Sequence, residues 1–536
     1  MTSPESGIQK KLGIAALAVS AVVLCLSVKT SSLWIDEGLT YGIVRETLKE
    51  FLDSVLLRCD AVSGMPLFFV VEFLWCRVFG FGEYAMRSIN LLLIPPLLIG
   101  AVKLLRSKDL PQWMVVFFAL NPVLLFYMNE ARPYAALFVC GLWCFLFLFR
   151  GGDNGMSRRD AALFFLCFWT GCALHMMFVF MGGVYLGVLL WMKKCNQLKI
   201  MDHVRVLAWW IPGFLLLGAH YLHVILYAPE VNAEHPEVFE SLLVISYYFA
   251  GLSGLGWSRN ALRSMNLELS WRIVSGLGLF ILSAAAVAVC CIRRRGLLKS
   301  RILLPAACIA GSLFLFIASG VVLRLRFWER HIIYLLPGCI LVVVMVCKML
   351  WTAAPRDRLA RTAAGCLLAL WIVSGLDIVT MDYYRKDDYR GAVAIARSFH
   401  ADHILFQGNS TTFGYYGLRG AWAETEAEAR TASESDDGAD SAAVTDTAAE
   451  LLPLEGNVDI SQATPEMMAV LARRLNGRSV LILSEKKEFD KYGFYARASG
   501  LPAAHVESFL ILSVDSLADL PAGIVPRDAS AGAERP

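Results

Sequence analysis

The chain has 536 residues, 57% of them hydrophobic and 18% charged, with a mean hydropathy of +0.56. That balance excludes an ordinary soluble domain and points to a polytopic membrane protein. The net charge of +3 contains no basic block of the kind that attracts nucleic acid, so no nucleic-acid partner is expected. All fourteen cysteines lie before residue 381, nearly all inside apolar runs, which argues against a disulfide framework. No Cys/His spacing resembles a zinc site, and neither metal nor cofactor is expected.

Lys10-Lys11 precede an apolar run over 12–28, read as a retained helix with a cytoplasmic N-terminus. A cleaved signal peptide is the alternative, but no small-x-small cleavage site stands out before Lys29. Next comes Trp34-Ile35-Asp36-Glu37-Gly38-Leu39-Thr40, two adjacent carboxylates where the chain has just left the first apolar segment. They open a helix-like stretch, and local sequence by itself favours Asp36 as an N-cap and Glu37 as a first-turn acid. In the functional reading one carboxylate is a general base that removes a proton from an acceptor hydroxyl.

Runs long enough to span follow near 88–105, 111–128, 134–149, 204–224, 272–292, 301–322, 330–349 and 361–380, and 161–192 suits two short helices turning near His175. About eleven transmembrane helices result. The basic clusters at 103–108, 150–159, 193–199, 293–301 and 348–361 all reach the cytoplasm only if Pro66–Phe79 does not cross. That 14-residue segment carries Glu72 and Arg77 and is read as an interfacial helix on the outer leaflet. Residues 30–87 then form one external loop and 225–271 a second, with a further interfacial helix near 241–257.

Asn129-Glu130-Ala131-Arg132-Pro133-Tyr134 follows the 111–128 run. An acid and a base bracketed by apolar sequence form either a local ion pair at a helix end or a functional pair, Arg132 holding a phosphate and Glu130 orienting a sugar or the base. Arg324, Arg326, Arg330 and His331 gather against the positive-inside trend, either snorkelling or binding an anionic lipid head group. His175 and His220 read as packed helix-end histidines.

After residue 381 the pattern becomes helical Gly391–Phe399, strand His403–Phe406, a run over 423–450 rich in acids, helical Pro465–Leu475, strand Ser479–Leu483, helical Lys487–Ala498 and strand Val506–Val514. The acidic run reads as a disordered insertion and the remainder as a small extracytoplasmic α/β domain, 381–536, beside a transmembrane domain, 1–380.

Together these segments resemble the polyprenyl-phosphate-sugar-dependent glycosyltransferases of the GT-C type. The nearest pattern is the bacterial branch related to dolichyl-phosphate-mannose protein mannosyltransferases and the lipid A aminoarabinose transferase. The resemblance rests on Trp34-Ile35-Asp36-Glu37, Pro66-Leu67-Phe68-Phe69, Trp75, Phe79-Gly80, Arg87-Ser88, Asn121-Pro122, Glu130–Tyr134, Arg330–Pro337 and Asp388-Tyr389-Arg390. One departure is Gly64-Met65, where the family carries His-Pro. The resemblance implies an inverting sugar transfer from a polyprenyl-phosphate donor to an acceptor glycan, lipid or protein, without metal. Asp36 would be the base, with Glu37 and Glu130 assisting. Arg132, Arg330 and His331 would hold the donor phosphate, and Trp34, Pro66 and Tyr134 would line the substrate loop. It further implies a bacterial cytoplasmic membrane, with active site and C-terminal domain outside. Competing readings are a transporter or flippase of lipid-linked saccharides, though no internal repeat is evident, and a catalytically silent relative that binds lipid head groups.

Overall fold

In a computed structural model of the chain, the described residues are 7–57, 63–150, 156–194, 200–227, 238–257, 262, 270–293, 300–322, 329–353, 357–381, 387–418, 456–460 and, with short gaps, 468–520. They fall into two compact units, one of Met1–Lys29 with Ile43–Tyr384, the other of Thr30–Gly42 with Arg385–Pro536. The boundary expected at residue 381 therefore moves to Arg385. In addition, the segment carrying Asp36-Glu37 leaves the transmembrane domain to which 1–380 was assigned.

The first unit is helical. A helix needs about 20 residues to cross a hydrocarbon core of about 30 Å. Among the described residues, seven helices of 19 to 25 residues are long and apolar enough: Gly7–Ser27, Glu83–Ser107, Arg205–Tyr227, Trp271–Arg293, Ile302–Gly320, Arg330–Thr352 and Arg358–Thr380. Shorter apolar helices cover Tyr134–Phe149 and Met176–Met192. Large side chains such as Trp209, Leu215 and Leu216 remain exposed on these surfaces, as lipid contact requires. Arg272 and Asp377 form an ion pair at 2.8 Å between the Trp271–Arg293 and Arg358–Thr380 helices.

The stretch 161–192 divides as expected, into helix Arg158–Leu174 and helix Met181–Lys194, with a 3-10 turn Met176–Phe180 after His175. The stretch 111–128 does not form the single helix expected there. It breaks into Gln112–Val115, Val116–Ala119 and Pro122–Met128. Pro122 has no N–H to continue a preceding helix, and Asn121 starts a new one by accepting hydrogen bonds from the Val123 and Leu124 amides at 3.1 and 3.2 Å. Pro66–Phe79 is a 14-residue helix, about 21 Å long and too short to cross alone. Within 225–271 a helix runs Val238–Phe249. Arg324, Arg326 and the acidic run 423–450 lie outside the described residues.

The second unit is built on a five-stranded mixed sheet: β1 (His403–Phe406), β2 (Gly456–Asp459), β3 (Ser479–Ser484), β4 (Ala504–Val506) and β5 (Phe509–Val514), in the order β2-β1-β3-β5-β4. β1 pairs in parallel with β2 and β3, and β5 pairs antiparallel with β3 and β4. Alternate residues bury opposite faces. Leu405, Leu481, Leu483, Leu510 and Leu512 pack on one side, and Ile404, Phe406, Val480, Ile482, Phe509 and Ile511 on the other. Both faces are covered, so β1 and β3 read as near-continuous apolar runs. The strand expected over Val506–Val514 is instead a tight hairpin in which Val506 pairs with Phe509. The expected helix Gly391–Phe399 runs Tyr389–Ser398, capped by Asp388, whose carboxylate accepts the Gly391 amide at 2.9 Å. Of the two later expected helices, Phe494–Ala498 is described as a helix, and most of Pro465–Leu475 lies outside the described residues.

The segment 30–42 belongs to this unit because its partners do. Tyr416 Oη accepts the Leu33 amide at 2.7 Å, Ser32 Oγ accepts the Arg390 amide at 3.1 Å, and the Arg390 guanidinium donates to the Thr30 carbonyl at 3.1 Å. Ile35 packs against the cluster containing Tyr389 and Phe413, and Tyr41 meets Tyr415 edge to face at 4.7 Å. Gly38 sits so close to the Ser410–Tyr415 helix that an added Cβ would lie 1.8 Å from Thr412 Oγ1. Gly38→Val should therefore destabilise the second unit by about 1–3 kcal/mol. Limited proteolysis of the full-length protein in detergent should show cleavage at lower temperature in this variant, whereas Leu39→Val, at an exposed position, should match wild type.

Candidate functional site

Of the residues singled out in the sequence, Trp34, Asp36 and Glu37 lie in the second unit, and Pro66, Glu130, Arg132, Tyr134, Arg330 and His331 in the first. In the second unit, helix Ile35–Val44 carries both acids in its first turn. Its first-turn amides favour negative charge there. The Trp34 amide donates to the Glu37 carboxylate in a long contact of 3.5 Å, and Thr40 Oγ1 donates to the Asp36 carbonyl at 3.0 Å. Glu37 is 0% exposed, whereas Asp36 is half-buried. The adjacent carboxylates are thus unequal, one enclosed by its own helix end and the other on the accessible side. Trp34 is buried.

In the first unit, an irregular stretch between helices Pro122–Met128 and Tyr134–Phe149 carries Glu130 and Arg132, 0% and 5% exposed. Irregular backbone inside an apolar bundle is tolerated only where its polar groups find partners. Asn90 supplies two, its Nδ2 donating to the Met128 and Glu130 carbonyls at 3.1 and 2.7 Å. Asn129 Oδ1 accepts the Lys29 amide at 2.8 Å, and the fully buried Arg87 donates to the Lys29 carbonyl at 3.0 Å. Arg87, cited in the sequence only as a motif letter, thereby holds the Lys29 carbonyl just after the first helix, while Asn129 ties the Lys29 amide to the Glu130 segment.

Tyr134 opens the next helix as the hub of an aromatic and cationic cluster. Its ring lies 4.9 Å from Tyr127 and 6.1 Å from His175, and Arg330 Cζ sits 5.7 Å from its centroid. His175 and His331 lie 5.2 Å apart, and Tyr334 packs on Phe178 at 4.7 Å. Gly141 lets the 3-10 turn Glu329–Leu335 approach: a Cβ there would lie 2.1 Å from the Tyr334 carbonyl oxygen. Arg330, His331 and Tyr134 are therefore neighbours of one another or of His175, and the charge of Arg132 acts on His175 as well. Pro66 occupies the first turn of its helix. The Gly64 carbonyl just before it accepts the Met176 amide at 3.0 Å, and the Ser63 carbonyl lies 2.8 Å from His220 Nε2. Gly64 is thus bonded to the residue following His175.

His175 was not singled out for chemistry in the sequence, and no spacing could have linked it to Arg132. It sits in the turn between helix Arg158–Leu174 and the 3-10 segment, where its Nδ1 accepts the Met177 amide at 3.1 Å. Burial, and then the positive charges of Arg330 and Arg132, push its imidazole down from 6.5 to about 3. The ring is neutral at physiological pH. Among the described residues, no group of three or more His, Cys, Asp or Glu is arranged to hold a metal ion.

No family model matches the chain, and no curated protein matches it either. Two solved structures are similar in fold. ArnT from Cupriavidus metallidurans in the apo state matches at 13% identity and a TM-score of 0.46, covering 93% of this chain and 97% of that one. The same protein bound to undecaprenyl phosphate matches at 13% identity and a TM-score of 0.46, covering 94% and 98%.

The neutral His175 has a consequence for stability. As pH falls from about 6.5 towards about 3, the unfolded chain takes up a proton that the folded ring refuses. Folding should weaken over that window, by up to about 1.4 kcal/mol per pH unit from this group. In detergent, the unfolding temperature of His175→Gln should fall less steeply than that of wild type between about pH 6.5 and pH 4.5. Intrinsic fluorescence would measure both, and parallel curves would contradict the assignment.

Proposed function

We propose that this protein is a membrane glycosyltransferase that moves a sugar from a polyprenyl-phosphate donor to an acceptor hydroxyl at the outer face of a bacterial cytoplasmic membrane. The observation that carries the reading is the grouping of Arg132, Arg330, Tyr134 and His331 around His175, in a unit built of membrane-length helices. A buried guanidinium, that of Arg132, and a half-buried one on an aromatic face, that of Arg330, would form a receptor for phosphate, since each offers planar N–H donors and a permanent charge. A donor lipid supplies that phosphate together with a tail suited to the exposed apolar helices.

The chemistry then follows from the groups involved. The acceptor hydroxyl gives its proton to the Asp36 carboxylate as its oxygen attacks the anomeric carbon. The anomeric carbon–oxygen bond to phosphate breaks on the opposite side, so configuration inverts. The electron pair leaves with the lipid phosphate, whose growing charge Arg132 and Arg330 stabilise. Glu37, enclosed at its helix end, positions the Asp36 turn. Glu130 acts beside Arg132 in orienting the sugar. No step requires a metal ion.

Two variants test this in reconstituted vesicles, with sugar transfer followed by mass spectrometry of the products. Asp36→Asn should lower kcat by about 10²–10⁴-fold, the usual contribution of a general base, while donor binding persists. Arg132→Gln should weaken donor binding as well, because the guanidinium holds phosphate in both the ground and transition states. Full transfer by Asp36→Asn would remove the proposed base and with it this mechanism.

A further inference from the structure

Two helices of the first unit turn apolar faces outward. In Pro66–Phe79 the buried side carries Phe68, Phe69, Glu72, Phe73 and Cys76, and the opposite side carries Val70, Val71, Leu74 and Val78. At about 100° per residue those four fall within one sector of the helix. Leu74 and Val78 are 59% and 74% exposed. The sector itself holds no charge. Glu72 lies on the buried side, where the Cys76 thiol donates to it at 3.6 Å. Arg77, at the sector's edge, folds over the Phe73 ring at 4.5 Å and donates to the Glu46 carbonyl.

Helix Leu48–Leu56 divides into three sides. Phe51, Ser54 and Val55 are buried, Leu48, Leu52 and Leu56 form an exposed strip at i, i+4 and i+8, and Lys49, Glu50 and Asp53 take the rest. An exposed apolar strip flanked by charges suits a helix lying between water and lipid. The two helices hold each other, with Phe51 stacked on Phe73 at 4.3 Å between ring centroids. Their place relative to the bilayer follows from Trp75. Its indole donates to the Ala85 carbonyl at 2.9 Å and to Ser88 Oγ at 3.2 Å, in the first turns of the membrane-length helix Glu83–Ser107. Tyr84 is exposed at that same end, where aromatic residues mark a membrane boundary. The Pro66–Phe79 helix is thereby tied to the end of a span, at the level where lipid begins.

We propose that helices Leu48–Leu56 and Pro66–Phe79 form one membrane-docking surface whose partner is the acyl layer of a single leaflet. Val70, Leu74 and Val78 enter among the lipid chains, and Leu48, Leu52 and Leu56 rest at their border. The difference in depth comes from charge. The outward sector of Pro66–Phe79 is wholly apolar and loses nothing in lipid, whereas Lys49, Glu50 and Asp53 must keep one side of Leu48–Leu56 in water. In water, by contrast, the two strips would leave an uncovered apolar patch of a kind that soluble surfaces rarely carry. The surface is independent of the phosphate and base assignments above and needs neither of them.

The test reads depth in a bilayer. Full-length protein carries a single keto amino acid as the attachment point of a nitroxide, which leaves the fourteen native cysteines untouched. It is placed in nanodiscs of phosphatidylcholine and phosphatidylglycerol. Power-saturation spectroscopy then compares collisions with oxygen, which concentrates in lipid, and with a nickel chelate, which stays in water. Labels at Leu74 and Val78 should lie about 5–10 Å below the headgroup boundary. Labels at Leu52 and Leu56 should be shallower, and those at Lys49 and Glu50 should meet mainly the nickel chelate.

Collisions dominated by nickel at Leu74 and Val78 would overturn the proposal. So would shielding of both sites from both reagents, the mark of a second copy or another protein on this face. Wild type gives an independent reading should a labelled variant not fold. A phosphatidylcholine with a diazirine in its acyl chain should, on illumination, crosslink to peptides covering 70–79. Crosslinking of the exposed Arg205–Tyr227 helix without any at 70–79 would equally overturn it.

Discussion

Polar backbone inside an apolar helical bundle must find hydrogen-bond partners, and the first unit is organised around meeting that requirement between Met128 and Tyr134. The chain there is not helical, so its carbonyls and amides lack the internal partners a helix supplies. Asn90 bonds two of the carbonyls, and Asn129 reaches back to the Lys29 amide, whose own carbonyl accepts from buried Arg87. The web spans three separated parts of the sequence. Because these bonds hold the irregular stretch in one conformation, Glu130, Arg132 and Tyr134 have defined positions. Loss of any of its members would leave buried polar groups unsatisfied, a larger penalty than the hydrogen bond itself is worth.

The same principle explains the state of His175. A charged imidazole in this setting would be poorly solvated and repelled by two guanidinium groups, so the neutral form prevails and the Met177 amide selects its tautomer. Arginine cannot take this route, since it keeps its proton at any ordinary pH. Buried arginines therefore call for hydrogen bonds, aromatic faces or an anion. Fully buried Arg87 on the Lys29 carbonyl illustrates the first of those solutions, and half-buried Arg330 over Tyr134 the second.

In the second unit the constraint is steric. Segment 30–42 joins the sheet domain through a glycine that admits Thr412, a serine that accepts the Arg390 amide, and a backbone amide bonded to Tyr416. The Asp388-Tyr389-Arg390 entry serves this contact directly: Asp388 caps the helix, Tyr389 enters the core, and Arg390 holds the Thr30 carbonyl. The pair Asp36-Glu37 is thereby fixed at a helix end with one acid enclosed and the other on the accessible side.

What the sequence determined alone were the properties that local chemistry decides. Long apolar runs could only be helices, short continuous apolar segments such as His403–Phe406 and Ser479–Leu483 emerged as strands, and Pro66–Phe79 kept its length because proline starts it and glycine follows it. Within 111–128, apolar character suggested one helix, while Asn121-Pro122 already held the break. Residues of chemical interest near motifs, such as Arg132 and Arg330, could be named, but not their neighbours. Only the tertiary structure brought His175, Tyr134, His331 and Arg330 into one cluster, and only it moved residues 30–42 out of the transmembrane unit. The reason is physical. Helix and strand formation depend on residues a few positions apart, whereas buried charge and close glycine contacts are settled between segments whose separation along the chain carries no periodic signal.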